Sequence, residues 1–295
     1  MKKIFVLGSI NIDNVAYTKV LPQPGITVEG DSFLSNIGGK GANQACAAHF
    51  LGADVTYIGA VGNDDNGKRV EAFFDSINLK YHLVKSNKST GTALIIIDEA
   101  NAENRILCIP GANFDIHEED LYPVIEQMHE GDILLLQLEC LLETVVFAIK
   151  KAKEKGLTVV LNPAPYRSNI PDDVFKCIDY FIPNEHELDS YVPGDMDEVT
   201  KSMQILAKGC KNVIVTLGEK GSLLVNKDGA IKIQPCKVQA LDTTAAGDSF
   251  CGAFVTALNQ GKDIIPALEF ASKCSSITVT RKGAINSLPH KEEVK

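Results

Sequence analysis

The stretch Ile133-Leu-Leu-Leu-Gln-Leu-Glu-Cys-Leu-Leu-Glu-Thr-Val-Val-Phe-Ala-Ile-Lys-Lys-Ala-Lys-Glu-Lys-Gly-Leu-Thr-Val-Val-Leu161 reads as one strand, one helix and a second strand. Ile133–Leu136 and Leu157–Leu161 are short apolar runs, the signature of strands buried on both faces. Between them Leu141, Val145, Ile149 and Ala152 recur at helical spacing. Working outward, Ile4–Leu7, Val55–Ile58, Ile178–Ile182 and Val213–Leu217 repeat the strand pattern, again separated by helical segments. This alternation predicts an α/β fold: a mostly parallel central sheet with helices on both faces.

One region breaks the alternation. Gly91–Asp98 is β-rich, turns through Glu99–Glu103 and returns as Asn104–Ile109, a hairpin pattern. Val15–Thr18 and Thr27–Asn36 are further strand candidates. Together they predict a small separate β-sheet. Its apolar residues on both faces need a cover, either substrate or a second subunit.

Composition excludes several functions. The 295 residues carry a formal charge of -9, and 6% are aromatic with no Trp. Neither the basic footprint nor the stacking platforms of a nucleic-acid binder are expected. No apolar run reaches the roughly 18 residues that span a bilayer, and the Met1-Lys-Lys3 opening lacks the features of a secretory signal. The eight cysteines form no Cys-x-x-Cys pair and the six histidines are scattered. Reduced, mostly buried thiols in the cytoplasm, and no zinc site, are expected.

In an open parallel sheet, ligands sit beyond the carboxyl ends of the strands. The segments placed there are polar or glycine-rich: Gly8–Asp13, Gln137–Glu139, Asn162–Pro165, Pro183–Glu187 and Gly218–Gly221. The strongest chemical signal lies in Leu241-Asp-Thr-Thr-Ala-Ala-Gly-Asp248. It leads into a helix marked by Phe250, Phe254, Ala257 and Leu258 and stopped by Gly261. The small residues Ala245, Ala246 and Gly247 bare their amides at the positive end of that helix, forming an anion hole. Asp248 beside it can take the proton of an attacking hydroxyl, or can serve only as a helix cap. Asn36-Ile-Gly-Gly-Lys-Gly-Ala-Asn43 also enters a helix. Its glycines admit a ligand or serve tight packing, and its spacing is not that of a Walker loop. Asn11, Asp13, Asn43 and Glu139 suit adjacent sugar hydroxyls, or are solvated loop polarity. Asn184 and Glu187 can organise hydrated magnesium on phosphates, or form a capping box.

Five of these blocks, Gly8–Asp13, Gly38–Asn43, Asn162–Pro165, Asn184–Glu187 and Asp242–Asp248, together with Thr280–Ala284, resemble the signature blocks of the ribokinase-like family of ATP-dependent sugar kinases. They occur in the family's order, over about residues 3 to 290. Asn162-Pro-Ala-Pro165 and Thr280-Arg-Lys-Gly-Ala284 point to its ribose-phosphorylating members. The resemblance implies transfer of phosphate from ATP to the 5-hydroxyl of D-ribose, with Asp248 as base and Ala245, Ala246 and Gly247 as anion hole. It places Asn11, Asp13, Gly39, Lys40, Asn43, Glu139 and Asp248 at the sugar, Asn184, Glu187, Thr216, Gly218, Gly221 and Gly247 at the nucleotide, and Glu187 near magnesium through water. An activating potassium ion would sit at Asp242, Thr244, Thr278, Arg281, Gly283 and Ser287. Residues 14–36 and 89–111 would form a lid and homodimer contact over a main domain of residues 1–13, 37–88 and 112–295. Cys251, Thr244 and Asn63 depart from the family pattern.

Rival readings are a related kinase acting on deoxyribose, fructose or a nucleoside, and a sugar-binding module without catalysis. A nicotinamide dehydrogenase lacks its glycine fingerprint here.

Overall fold

The structure, a computed structural model, describes residues 2–98 and 103–294. The strands are β1 (Ile4–Leu7), β2 (Asn11–Thr18), β3 (Ser32–Gly38), β4 (Val55–Gly62), β5 (Lys80–Ser86), β6 (Gly91–Asp98), β7 (Glu103–Ile109), β8 (Ile133–Leu136), β9 (Thr158–Leu161), β10 (Tyr180–Phe181), β11 (Asn212–Thr216), β12 (Ser222–Asn226) and β13 (Gly229–Ile233). The helices are α1 (Lys40–Phe50), α2 (Asp65–Ser76), α3 (Glu118–Ile125), α4 (Leu142–Glu154), α5 (Asp172–Phe175), α6 (Glu185–Tyr191), α7 (Glu198–Ala207), α8 (Ala246–Asn259) and α9 (Ile264–Thr278).

Nine strands form the main sheet, in the order β13-β12-β11-β10-β9-β8-β1-β4-β5. It is parallel from β11 to β5, with β12 and β13 added antiparallel at one edge. Alternate residues of each central strand feed two cores. Ile4, Val6, Ile133 and Leu135 pack with residues of α1, α2, α8 and α9. Phe5, Leu7, Leu134 and Leu136 pack with α3, α4 and α7 on the other face. Every residue of β1 and β8 is buried, as a sheet covered on both sides requires.

The second sheet has the order β3-β2-β6-β7. The expected hairpin is present as β6 and β7, and β2 lies parallel to β6. Two strands differ from expectation. β2 begins at Asn11 rather than Val15, and β3 spans Ser32–Gly38 rather than Thr27–Asn36. Pairing to β3 on one side and β6 on the other keeps the polar Asn11–Asn14 segment extended, which local apolar patterning does not register. Most of the turn expected at Glu99–Glu103 lies outside the described residues.

In the main sheet, Ile178–Ile182 supplies only the two-residue β10. The Ile182 amide still reaches Leu161 O at 2.8 Å, and then Pro183 has no N–H to continue the ladder. Among the described residues no helix is long and apolar enough to cross a membrane.

Candidate active site

The two sheets meet where chemistry is concentrated. β1 ends beside the turn into β2, so Asn11 and Asp13 leave the main sheet and enter the small one. Asp13, Ala93 and Cys108 lie in one row across β2, β6 and β7. β3 then returns the chain to Gly39, which precedes α1 with φ of +91°. A Cβ there would stand 2.8 Å from the Ile10 Cα and 2.9 Å from the Asn11 amide. This glycine is therefore explained by close backbone packing, the plainer of the two readings of that loop.

Helix α1 delivers Lys40 and Asn43 to the site. Lys40 Nζ lies 3.9 Å from Glu139 Oε1, and its backbone N–H points at Glu139 Oε2 at 3.4 Å. Ser9 Oγ donates to the same Oε2 at 2.5 Å. Burial disfavours the Lys40 charge, but Asp248, Glu139 and Glu187 outweigh it and raise the ammonium's pKa. Asp13 is pushed up to about 6, first by burial and then by the charges of Glu139 and Asp248, with Lys40 opposing. The Cys108 thiol is raised by burial, then by Glu139 and Asp13, which sets the small sheet against this cluster.

Helix α8 supplies the opposite wall. It starts at Ala245, which takes the left-handed conformation at φ +58° and offers no side-chain cap. Asp248 is no cap either. Its Oδ2 accepts from Asn43 Nδ2 at 2.8 Å and its Oδ1 from Gln44 Nε2 at 2.9 Å. Two helices can approach this closely because position 252 is glycine. A Cβ there would lie 2.6 Å from the Ala47 Cβ and 2.7 Å from Gln44 O. Asp248 is only 8% exposed and Asn43 6%. Asn43 Oδ1 is buried and, among the described residues, has no hydrogen-bond partner.

The expected anion hole differs in one respect. The Ala246 N–H is engaged by Thr243 O at 3.2 Å. Among the described residues, the amides of Ala245, Gly247 and Asp248 meet no protein acceptor. Apart from its own helix and chain neighbours, a Cβ at Gly247 would meet no heavy atom of the described residues within 4 Å, so packing there does not demand a glycine.

A cavity of about 1030 Å³ runs from Lys40 and Asp248 past Gly247, Asn184 and Glu187 to Thr216, Gly218 and Gly221. The Asn184 side chain accepts from the Glu187 amide and Glu187 Oε2 from the Asn184 amide, both at 2.8 Å, so this pair does form a capping box. The same two side chains line the cavity, and burial raises the Glu187 pKa despite the Asn184 amide. Cys251 also lines it, its thiol lifted far above the usual range by burial and then by Asp248.

Of the residues expected at the potassium ion, Asp242 is joined directly to Thr244 and Gly283, Thr278 meets Ser249 of α8, and the Arg281 amide donates to Thr278 O. Asp242 Oδ1 accepts from the Thr244 amide and Oδ2 from the Gly283 amide, each at 2.9 Å, clamping two loops together. These bonds hold the carboxyl below its ordinary range although burial opposes them. Thr278 Oγ1 is 2.8 Å from Ser249 Oγ, and Ser287 Oγ donates to Ala284 O at 2.7 Å. Asn63 has no adverse effect on its turn, because Asp64 caps α2 through the Gly67 amide.

The sequence matches the pfkB family carbohydrate kinase profile over residues 1–291. It is 40% identical to a ribokinase of Schizosaccharomyces pombe, over 100% of this chain and 97% of that protein. A solved ribokinase from Thermotoga maritima superposes with a TM-score of 0.92 at 36% identity, covering 100% of this chain and 98% of that one. An Arabidopsis thaliana ribokinase complexed with ribose and ATP gives 0.90 at 30%, with the same coverage. The chain belongs to the pfkB family of carbohydrate kinases.

For this pfkB-family chain, Lys40, Asp248 and the residues expected at the nucleotide line the cavity, whereas Asn11, Asp13, Gly39, Asn43 and Glu139 do not, and sequence reading missed the amide scaffold. Gln44, Asn162, Gln137 and Asn113 were not singled out as site residues. Asn113 Nδ2 donates to Asn11 Oδ1 at 2.9 Å and to Ile10 O at 3.0 Å, fixing the entrance to β2. One signal was available for Gln44: a large amide in the run Ala42-Asn-Gln-Ala-Cys-Ala-Ala48, where small residues announce close helix packing.

Proposed function

We propose that the chain transfers the terminal phosphoryl group of ATP to the 5-hydroxyl of D-ribose, giving ribose 5-phosphate and ADP. The observation that carries this reading is Asp248. It sits where the sugar-type cluster of Asp13, Lys40, Asn43 and Glu139 meets the long cavity lined by Asn184, Glu187, Thr216, Gly218 and Gly221.

In this reading the Asp248 carboxylate accepts the proton of the 5-hydroxyl. The sugar oxygen forms a bond to the terminal phosphorus, the bond from that phosphorus to the bridging oxygen breaks, and ADP leaves with the electron pair. Asn11, Asp13, Gly39, Lys40, Asn43 and Glu139 hold ribose, and the unpartnered Asn43 Oδ1 accepts from one of its hydroxyls. In the Ala245–Gly247 turn at the start of the 14-residue α8, the free amides of Ala245, Gly247 and Asp248 stabilise charge on the migrating group, the Ala246 N–H being engaged by Thr243 O. Most of the acceleration then comes from alignment and electrostatics.

Magnesium bound to the phosphates would neutralise their charge. Glu187, with Asn184, fits an outer position reached through water. Potassium would strengthen the local positive field. The donor set suits a large, weakly hydrated ion, since among the described residues the carbonyls of Thr244, Arg281 and Gly283 accept no hydrogen bond beside the clamped Asp242. Residues 14–36 and 89–111 act as lid and homodimer contact. Phe33, Leu94, Leu107 and Ile109 expose 42–63% of their surface on the sheet face opposite Asp13. The cysteines among the described residues are free thiols, which suits the cytoplasm.

A product assay with ATP and ribose, run in potassium and then in sodium only, tests the reading. Equimolar ADP and ribose 5-phosphate, formed faster in potassium, is expected. ADP without sugar phosphate would favour a non-catalytic module, and a higher kcat/KM for deoxyribose, fructose or a nucleoside would displace ribose.

A further inference from the structure

The geometry points to Gln44 as the positioning residue for Asp248, an inference that rests on the reading of Asp248 as the base. Gln44 is fully buried in α1 and does not line the cavity, so it stands behind the carboxylate rather than beside the substrates. Its side-chain amide is engaged on every side. Nε2 donates to Asp248 Oδ1 at 2.9 Å and to Asn162 Oδ1 at 3.0 Å, and Oε1 accepts from Gln137 Nε2 at 2.6 Å.

That pattern fixes which way the amide faces. Asn162 must present its oxygen to Gln44, because its own Nδ2 donates to Ile182 O at 2.8 Å. Gln137 presents an N–H to the other end. Turning the Gln44 amide over would oppose oxygen to the Asp248 and Asn162 oxygens and N–H to the Gln137 N–H, all in a dry interior. The chain thus builds a relay from the ends of β8 and β9 through α1 to α8. Its last N–H seizes one carboxylate oxygen while Asn43 holds the other. Rotation of the Asp248 carboxylate is arrested from two sides, and each oxygen retains a lone pair for a hydroxyl proton. Of the two amides, Asn43 is also placed at the sugar, whereas Gln44 can act on the reaction only through Asp248.

A double-mutant cycle separates positioning from mere packing. Gln44→Met keeps the volume and removes both donors. In the otherwise native enzyme it should lower kcat by ~10–10²-fold, as expected for a misaimed catalytic group, and change the KM values for sugar and ATP by less than about threefold. In the Asp248→Asn background the same substitution should change residual kcat by less than about twofold, because the group it aims is gone. An equal loss in both backgrounds overturns the inference and leaves Asp248 as base untouched. Near-native turnover by Asp248→Asn itself removes the base reading, and the inference with it.

Gln44→Glu serves should the methionine variant fold poorly. It sets a second carboxyl against Asp248, so kcat should fall at least about tenfold with the KM values nearly unchanged. An unchanged kcat overturns the inference. Combining Gln44→Glu with Asp248→Asn restores a donor–acceptor pair of reversed polarity. That double variant should regain part of the thermal stability lost in Gln44→Glu, the Asn162 oxygen still lacking its donor, without regaining kcat; recovery of kcat would count against the inference.

Discussion

Burial, with Glu139 and Asp248 nearby, brings the Asp13 carboxyl toward neutrality. With its pKa raised to about 6, mainly by burial, it passes from carboxylate to acid within an accessible range. Only the carboxylate accepts from two sugar hydroxyls, so kcat/KM for ribose should fall tenfold per pH unit below about 6, and an Asp13→Asn variant should lack that limb. The stability effect has the opposite sense. A folded pKa above the unfolded one means the native state binds the proton more tightly, so this contribution is complete below about pH 4 and is lost as pH rises through 6. Urea titrations of the native protein and Asp13→Asn at pH 4 and 7 should show it: the native protein loses stability relative to the variant on going to pH 7. Gly247 yields a different residue-scale expectation. Apart from its own helix and chain neighbours, no described residue lies within 4 Å of where its Cβ would be, so Gly247→Val should fold with nearly unchanged Tm. On the proposed reading it should nonetheless lower kcat at least tenfold, because the new side chain would fill the place of a phosphoryl group. A normal kcat would remove the close approach of phosphate from the account.

At the scale of elements, the site depends on how α1 crosses α8. Gly252 is the contact point, against Gln44 and Ala47 of α1, and Asp248 lies one turn of α8 from it. Gly252→Val should force the helices apart, costing about 1–3 kcal/mol in denaturant unfolding. It should also lower kcat, because Asn43 and Gln44 withdraw from the carboxylate together. Phe254→Ala offers the control for destabilisation alone. Phe254 is fully buried, meets Tyr180 edge-on at 5.1 Å and does not line the cavity. That variant should lose about 3–5 kcal/mol of stability while the folded enzyme keeps its kcat. A loss of stability in Gly252→Val with kcat intact would detach the helix crossing from catalysis.

For the whole molecule, the small sheet is the element that cannot stand alone. Its strands carry Asp13, Ala93 and Cys108 on one face and exposed Leu94, Leu107 and Phe33 on the other. With the first face toward the sugar and the second toward a partner copy, Leu107→Asp should convert a dimer to a monomer in sedimentation or light scattering. On the proposed reading it should also raise the KM for ribose more than it lowers kcat, since Asp248 and the Ala245–Gly247 turn belong to α8, outside the small sheet. A protein that is monomeric without the substitution would remove this contact.

The alternation of apolar runs and helical spacing by itself determined the parallel sheet covered on both faces, because the period of burial is a local property of the chain. The Ala-Ala-Gly-Asp turn at 245–248 and the hairpin near residues 91–109 were equally legible, since small residues at a helix start and paired β-rich runs carry their meaning within a dozen residues. Other features were decided only by the tertiary structure. It showed that Asp248 is held by amides of α1 rather than capping its own helix, that Asn184 and Glu187 both cap and line the cavity, and that the polar Asn11–Asn14 segment is sheet. These outcomes rest on contacts between residues as many as 205 positions apart. A hydrogen bond across that distance leaves no trace in local periodicity, because it exists only once the packed sheet and its crossing helices have brought the two ends of the chain together.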